Sequence, residues 1–68
     1  MKEINIRDDH IKLGQLLKLA GLVDSGLEAK IEITEGRVKL NNITELQRGK
    51  KVFKGDTVSY KGEEIRVL

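Results

Sequence analysis

The chain has 68 residues and a net charge of +2, which allows one domain with a modest core and excludes a substrate cleft between two lobes. It contains no cysteine, so disulfides and thiolate metal sites are excluded, and a reducing, cytoplasmic setting is compatible with the composition. The longest apolar stretch, Leu16 to Val23, is interrupted by Lys18 and is too short to span a bilayer. The beginning of the sequence carries Lys2 and Glu3 and lacks the apolar core of a signal peptide.

Positive charge is concentrated in one part of the sequence. Residues 1–36 carry five cations and seven acids, a balance of −2. Residues 37–54 carry six cations and one acid, a balance of +5. Charged faces often do no more than keep a surface solvated, but a cluster of this kind favours a polyanionic partner.

The first predicted elements are a short strand and a helix. Ile4 and Ile6 alternate with polar residues, as the residues of a strand do. Asp8 or Asp9 can cap a helix that we place over about residues 9–20, because a carboxylate there accepts hydrogen bonds from free backbone N–H groups. The apolar residues at helical spacing are Ile11, Leu13, Leu16, Leu17 and Ala20.

A second helix follows directly. Ser25 with Glu28 three residues later is a capping box, in which the Ser25 hydroxyl accepts from the Glu28 N–H and the Glu28 carboxylate reaches back to the start of the helix. Gly21 is the expected end of the first helix and Gly36 the end of the second, since glycine adopts positive φ without strain. The apolar side of the second helix is formed by Ala29, Ile31 and Ile33. Its N-terminus is a phosphate-binding device.

The next segment predicts a hairpin and a basic loop. Residues 37–40 alternate between basic and apolar side chains, so that the cations share one face of a strand. Asn41-Asn42 suits a two-residue turn, because asparagine tolerates left-handed dihedral angles. Ile43 and Leu46 mark the returning strand, and the segment from Arg48 to Lys51 follows as a basic loop.

A second hairpin ends the chain. Lys54-Gly55-Asp56 forms a turn, and Lys61-Gly62 is the corner between two strands. The apolar residues of these strands are Val58, Tyr60, Ile65 and Val67. Phe53 follows Val52, which is an inward position, so Phe53 should point outward among cations. There it could stack on a nucleobase or cover a gap beneath the terminal hairpin, and the sequence leaves both open.

In their order along the chain, these residues resemble the S-four RNA-binding domain, the fold of ribosomal small-subunit protein four. The family pattern has a basic-Leu start, a Leu-rich helix ending in Gly, Ser-Arg-x-Glu-Ala, a later Ile and Gly, x-Val-x-Val-Asn-Gly, and finally Val-x-x-Gly-Asp. The match runs without a gap from Lys12 to Val58, and the length and terminal strands are most similar to the stand-alone bacterial proteins of the YaaA/YbcJ type. The matching residues are Lys12-Leu13, Leu17, Gly21, Ser25, Glu28-Ala29, Ile33, Gly36, Val38, Leu40, Asn41, Val52, Gly55-Asp56 and Val58.

Three positions depart from that pattern. The arginine after the serine is Gly26, an acidic residue of the first helix falls on Gly14, and the Asn-Gly corner is Asn41-Asn42. The first departure removes a cation that the family often uses on phosphate. Gly26 in its place allows backbone N–H groups to approach a phosphate more closely.

The resemblance implies an α+β fold, the alpha-L RNA-binding motif, with two short helices packed on a small, mostly antiparallel sheet in a single domain over residues 1–68. It implies a monomer that binds structured RNA, ribosomal RNA foremost and ribosomal proteins as further partners, without catalysis, metal or cofactor. The expected RNA-binding residues are Lys12, Ser25, Gly26, Lys30, Arg37, Lys39, Arg48, Lys50, Lys51 and Lys54. Of these, Lys30 could equally be an ordinary residue of the helix surface.

Other functions have less support from the residues. The acidic first half of the chain could dock a basic protein, so a protein-interaction adaptor is the alternative hypothesis. Ser25 with Glu28 resembles part of a catalytic pair, but capping explains both residues and no general base is placed to activate the serine. His10 beside Asp8 and Asp9 offers too few ligands at fixed spacing for a tight metal site.

Overall fold

The computed structural model describes residues 1–68 as two helices and seven strands. The helices are α1 (Leu13–Leu19) and α2 (Gly26–Thr34). The strands in chain order are β1 (Lys2–Ile4), β2 (His10–Lys12), β3 (Val38–Leu40), β4 (Ile43–Thr44), β5 (Lys51–Phe53), β6 (Thr57–Tyr60) and β7 (Glu63–Val67). No helix combines the length and the apolar character needed to cross a membrane.

Five strands form the main sheet, in the order β1-β7-β6-β3-β4. The pairing of β1 with β7 is parallel and the other pairings are antiparallel. Positive φ angles occur at both turn residues of two hairpins, Asn41 (51°) with Asn42 (69°), and Lys61 (49°) with Gly62 (79°). Type I′ turns require such angles at both central positions, so these two pairs of residues set the strand register. Both predicted hairpin corners are confirmed.

The other two strands, β2 and β5, form a separate antiparallel ribbon. Ile11 lies opposite Val52, and Val52 is fully buried, so one face of the ribbon is turned to the core. The predicted helix start at residue 9 is therefore wrong, because His10–Lys12 is extended. The prediction failed because Ile11 and Leu13 fit the alternation of a strand as well as the spacing of a helix.

The first helix begins without a side-chain cap. Its N-cap is Lys12, and the Leu13 N–H donates to the Lys50 carbonyl oxygen at 2.9 Å, so the loop before β5 satisfies this helix end. Neither Asp8 nor Asp9 caps the helix; Asp9 accepts a hydrogen bond from the His10 ring instead. Gly21, at a φ of 76°, follows the helix end as predicted.

Both helices share one hydrophobic core with the inner face of the main sheet. The buried residues are Leu13, Leu16, Leu17, Ala20, Val23, Ala29, Ile33, Val38, Val52, Val58, Tyr60, Ile65 and Val67. The predicted α+β fold of two short helices on a mostly antiparallel sheet is confirmed. Ile31 was expected on the buried side of α2, but it is 47% exposed. A nine-residue helix on the surface turns only a narrow stripe to the core, here Ala29 and Ile33.

Candidate nucleic-acid interface

The outer face of the β2–β5 ribbon carries two cations directly opposite each other. Lys12 of β2 is the cross-strand partner of Lys51 of β5, and both residues are exposed. Neither lysine forms an ion pair with a carboxylate. Like charges in directly opposite positions destabilise a strand pair, and an anionic ligand would remove that penalty. The same face continues to a second cross-strand pair, His10 with Phe53.

A groove of about 300 Å³ opens beside the ribbon, at the point where α1, α2 and the loop before β5 meet. Its walls contain three cations and three glycines and no hydrophobic residue. The lining residues are Lys12, Gly14, Gln15, Lys18, Gly26, Arg48 and Gly49. We call these seven residues the basic groove. Because its charged side chains are all positive, the basic groove suits an anion such as a phosphate.

Backbone hydrogen bonding and close packing place Arg48 over α1. The Gly14 N–H donates to the Arg48 carbonyl oxygen at 3.0 Å. A Cβ atom added at Gly14 would lie 2.6 Å from Cγ of Arg48, which is closer than packed atoms approach. The departure from the family pattern at Gly14 therefore removes an acidic residue and makes room for the aliphatic stem of Arg48.

The N-terminus of α2 lies on the other side of the basic groove. Ser25 is the N-cap, and its Oγ accepts from the Glu28 N–H at 3.1 Å, as predicted. The Glu28 carboxylate reaches back past the cap and accepts from the Asp24 N–H at 2.7 Å. Gly26 lines the groove, and a Cβ atom added there would meet nothing within 4 Å. The serine hydroxyl is thus occupied by the helix, whereas the position of Gly26 is open.

A larger depression of about 790 Å³ continues from the basic groove along the loop between β1 and β2. It shares Lys12, Gln15 and Lys18 with the groove and adds His10 of β2 and residues of the loop, among them the cation Arg7 and the acid Asp8. Sequence reasoning did not include Arg7, Gln15 or Lys18 among the RNA-binding residues. The polar face of α1 was the signal for Gln15 and Lys18, since they lie three residues apart and opposite the buried leucines.

Other expected residues lie elsewhere. Arg37 Nη1 donates to Glu32 Oε2 at 2.8 Å, and Lys39 lies on β3 between Ser59 and Thr44 of the main sheet. Neither lines the basic groove. The remaining lysines are exposed: Lys30 on α2, Lys50 in the loop before β5, and Lys54 in the turn after it. The structure thus brings together Lys12, Gly26, Arg48 and Lys51, and it separates them from Arg37 and Lys39.

Outside the groove, the Glu32 carboxylate is the counter-charge for two cations, Arg37 and Lys61. Its Oε1 accepts a hydrogen bond from the Tyr60 hydroxyl at 2.6 Å, and Lys61 Nζ lies 3.8 Å from the same oxygen. The hydrogen bond from Tyr60 holds the pKa of Glu32 below its ordinary value, and the positive charges of Arg37 and Lys61 act in the same direction. The same hydrogen bond, with burial, raises the pKa of Tyr60. We call Glu32, Arg37, Tyr60 and Lys61 the Glu32 cluster.

The sequence matches the family model of the S4 domain over residues 4–68. YbcJ of Escherichia coli (strain K12) is 42% identical over 59 residues, which cover 87% of this chain and 84% of YbcJ. RlbA of Bacillus subtilis (strain 168), named as a probable ribosome maturation protein, is 41% identical over 59 residues, covering 87% of this chain and 83% of RlbA.

A solved structure has the same fold. The solution structure of YbcJ from E. coli, described as having an αL motif involved in RNA binding, matches this chain with a TM-score of 0.76 and 38% sequence identity. The match covers 100% of this chain and 87% of that one. With the family match over residues 4–68, this likeness bears out the resemblance read from the sequence. The chain belongs to the S4 domain family.

Proposed function

We propose that this protein binds structured RNA, ribosomal RNA foremost, and that the basic groove and the outer face of the β2–β5 ribbon contact the RNA. Four cations, Lys12, Lys18, Arg48 and Lys51, converge on this surface, and none of them forms an ion pair with a carboxylate. These four cations come from α1, the loop before β5 and both strands of the ribbon. The fold therefore holds together charges that repel one another, which a bound polyanion would relieve.

The relatives support the proposal independently of the charges. YbcJ has a motif described as involved in RNA binding, and it shares the fold of this chain at a TM-score of 0.76. RlbA, named for ribosome maturation, supports ribosomal RNA as the class of RNA. The protein would act by binding alone, without a metal or cofactor, as a cytoplasmic monomer, with ribosomal proteins as neighbours on the same RNA.

The alternative hypothesis, an adaptor whose acidic first half docks a basic protein, has less support from the structure. Three carboxylates of the first half already have partners within the fold. Asp9 binds His10, Glu28 caps α2, and Glu32 holds Tyr60 and Arg37. A partner protein that docked on these groups would have to compete with those contacts, so we rank the adaptor hypothesis second.

The test is a salt titration with labelled stem-loop fragments of ribosomal RNA. We expect Arg48→Ala to weaken binding. The plot of log K against log[salt] should become less steep by about 0.7 to 0.9, the value for one lost phosphate contact. Arg66→Ala is the matched control, because Arg66 is an exposed arginine of β7 outside the basic groove, hydrogen-bonded to Thr57. Equal losses in the two variants would show that the RNA does not use the groove. No binding by the wild type would reject the proposed function.

A further inference from the structure

Two aromatic rings lie next to each other on the outer face of the β2–β5 ribbon. His10 and Phe53 are cross-strand partners, and their ring centroids are 5.8 Å apart with the planes tilted by 49°. Phe53 is 46% exposed, although the chain has only one other residue among Phe, Tyr and Trp, the buried Tyr60. The core position of β5 is filled by Val52. The Phe53 ring is thus presented to solvent rather than used to fill the interior.

Hydrogen bonds orient the His10 ring and fix the backbone of Phe53. Asp9 Oδ1 lies 2.8 Å from Nδ1 of His10, which orients the imidazole. The Phe53 N–H donates to Asp56 Oδ2 at 2.8 Å, which fixes the end of β5 at the turn that follows. A platform that is ordered before binding loses little conformational freedom when a ligand stacks on it.

Cations flank the rings on the same face. Lys12 and Lys51 each lie two residues along their strands from His10 and Phe53, so the four side chains point the same way. Lys54, also exposed, follows Phe53 in the chain. A nucleotide combines a flat apolar base with a charged phosphate, and this face offers an aromatic surface beside positive charge.

We propose that the rings of Phe53 and His10 form a stacking platform for one unpaired nucleobase of the RNA, while Lys12 and Lys51 hold the adjacent phosphates. The inference rests on the proposed function and narrows it to a class of RNA. Bases inside a continuous duplex are stacked on each other and cannot offer a face to a protein ring, whereas a bulged or looped base can. The preferred ligand is therefore a stem with an extruded nucleotide.

The probe is a fluorescein-labelled RNA hairpin that has a one-nucleotide bulge in its stem and a polyethylene glycol linker in place of loop nucleotides. It is compared with the same linker-closed hairpin without the bulge, in which every base is paired. Phe53→Leu keeps an apolar side chain but removes the ring, and we expect it to bind the bulged hairpin roughly fivefold to tenfold more weakly. Its affinity for the paired hairpin should not change. Ile43→Ala is the control, because Ile43 is 72% exposed on β4, outside the ribbon, and should bind both hairpins like the wild type.

A second variant tests by fluorescence whether a base stacks at position 53. The chain contains no tryptophan, so Phe53→Trp places a single indole on the platform. We expect this variant to bind like the wild type and its emission to be quenched by the bulged hairpin.

The outcomes separate the two proposals. If both hairpins bind the wild type equally, or Phe53→Leu binds the bulged hairpin like the wild type, or the indole emission does not change at saturation, the stacking platform is rejected and RNA binding stands. If neither hairpin binds the wild type, both proposals are rejected.

Discussion

Two regions of this molecule treat positive charge in opposite ways. In the Glu32 cluster, one carboxylate lies 2.8 Å from Arg37 and 3.8 Å from Lys61, so the fold supplies a counter-charge to its own cations. On the ribbon, Lys12 lies opposite Lys51 and no carboxylate pairs with either. Residues of the same type therefore serve the internal structure in one region and are free for an external anion in the other. Charge counts along the sequence do not distinguish the two, because only the fold decides which cations have partners.

The largest expected effect follows from removing charge on the ribbon side. Replacing Lys50 and Lys51 together with alanine should reduce the log–log salt slope by about 0.7 to 0.9 for each lost phosphate contact. Both side chains are exposed, so the fold should survive. Lys2→Ala is the control, since the Lys2 ammonium donates to the Ala20 carbonyl oxygen at 2.7 Å, away from the ribbon. Titrations at several salt concentrations measure the slopes. Wild-type binding by the double variant, with a loss in Lys2→Ala, would place the RNA on a different face.

Adding a cation to the groove should have the opposite effect. Gly26→Arg supplies the arginine that the family pattern has at this position, and an added Cβ meets nothing within 4 Å. Because the new side chain would begin at the wall of the basic groove, we expect tighter RNA binding and a salt slope steeper by about 0.7 to 0.9. Ile43→Arg is the control for added net charge, because Ile43 is 72% exposed on β4, outside the basic groove and the ribbon. Equal gains in both variants would indicate a nonspecific effect of net charge.

The helix that borders the groove depends on its cap. Ser25→Ala removes the acceptor for the Glu28 N–H and should destabilise the protein by about 1 kcal/mol. In a domain of this size, that loss corresponds to a decrease in Tm of roughly 4 to 8 °C. Thermal unfolding followed by circular dichroism measures it. Ser25→Asp should restore most of the loss, because aspartate caps helices as well as serine does. An unchanged Tm in Ser25→Ala would mean that the cap adds nothing to stability.

The smallest expected effect concerns pH and the Glu32 cluster. The folded state lowers the pKa of Glu32 below its ordinary 4.5, so the carboxylate stabilises the fold above that pH. That stability is lost as pH falls from 4.5 through the lower pKa of the folded state. Glu32→Gln cannot titrate, so its Tm should fall less than that of the wild type over this range, and RNA affinity at neutral pH should be unchanged. Parallel Tm curves for the two proteins would contradict this assignment.

The features that the sequence predicts correctly are those that a few neighbouring residues determine. Ser25 with Glu28 specifies a helix start, and Asn41-Asn42 specifies a hairpin corner, because the required hydrogen bonds and φ angles are local. The fold class followed from the resemblance of the ordered set of residues to the S4 family pattern. Strand β2 could not be found in this way, because three residues become a strand only when β5, far along the chain, pairs with them.

The candidate interface was predictable only in part for the same reason. Lys12 and Lys51 were both named from the sequence, but their direct opposition depends on the β2–β5 pairing. Gly14 looked like the loss of an acidic residue. Only the structure shows that a Cβ atom at this position would lie 2.6 Å from Cγ of Arg48, so the position is closely packed. Lys18 was missed because a single cation on a short helix does not stand out until α2 and the loop before β5 surround it.

The parallel pairing of β1 with β7 has a consequence for the order of folding. Lys2 pairs with Ile65, so this contact closes a loop of almost the whole chain, whereas the hairpins and the helix pair close short ones. Loop closure costs more entropy as the loop lengthens, so β1 should join the sheet last and detach first. Amide hydrogen exchange should therefore be fastest in β1 among the strands of the main sheet. The ribbon and the groove lie outside β1, so detachment of this edge strand would leave the proposed RNA surface assembled.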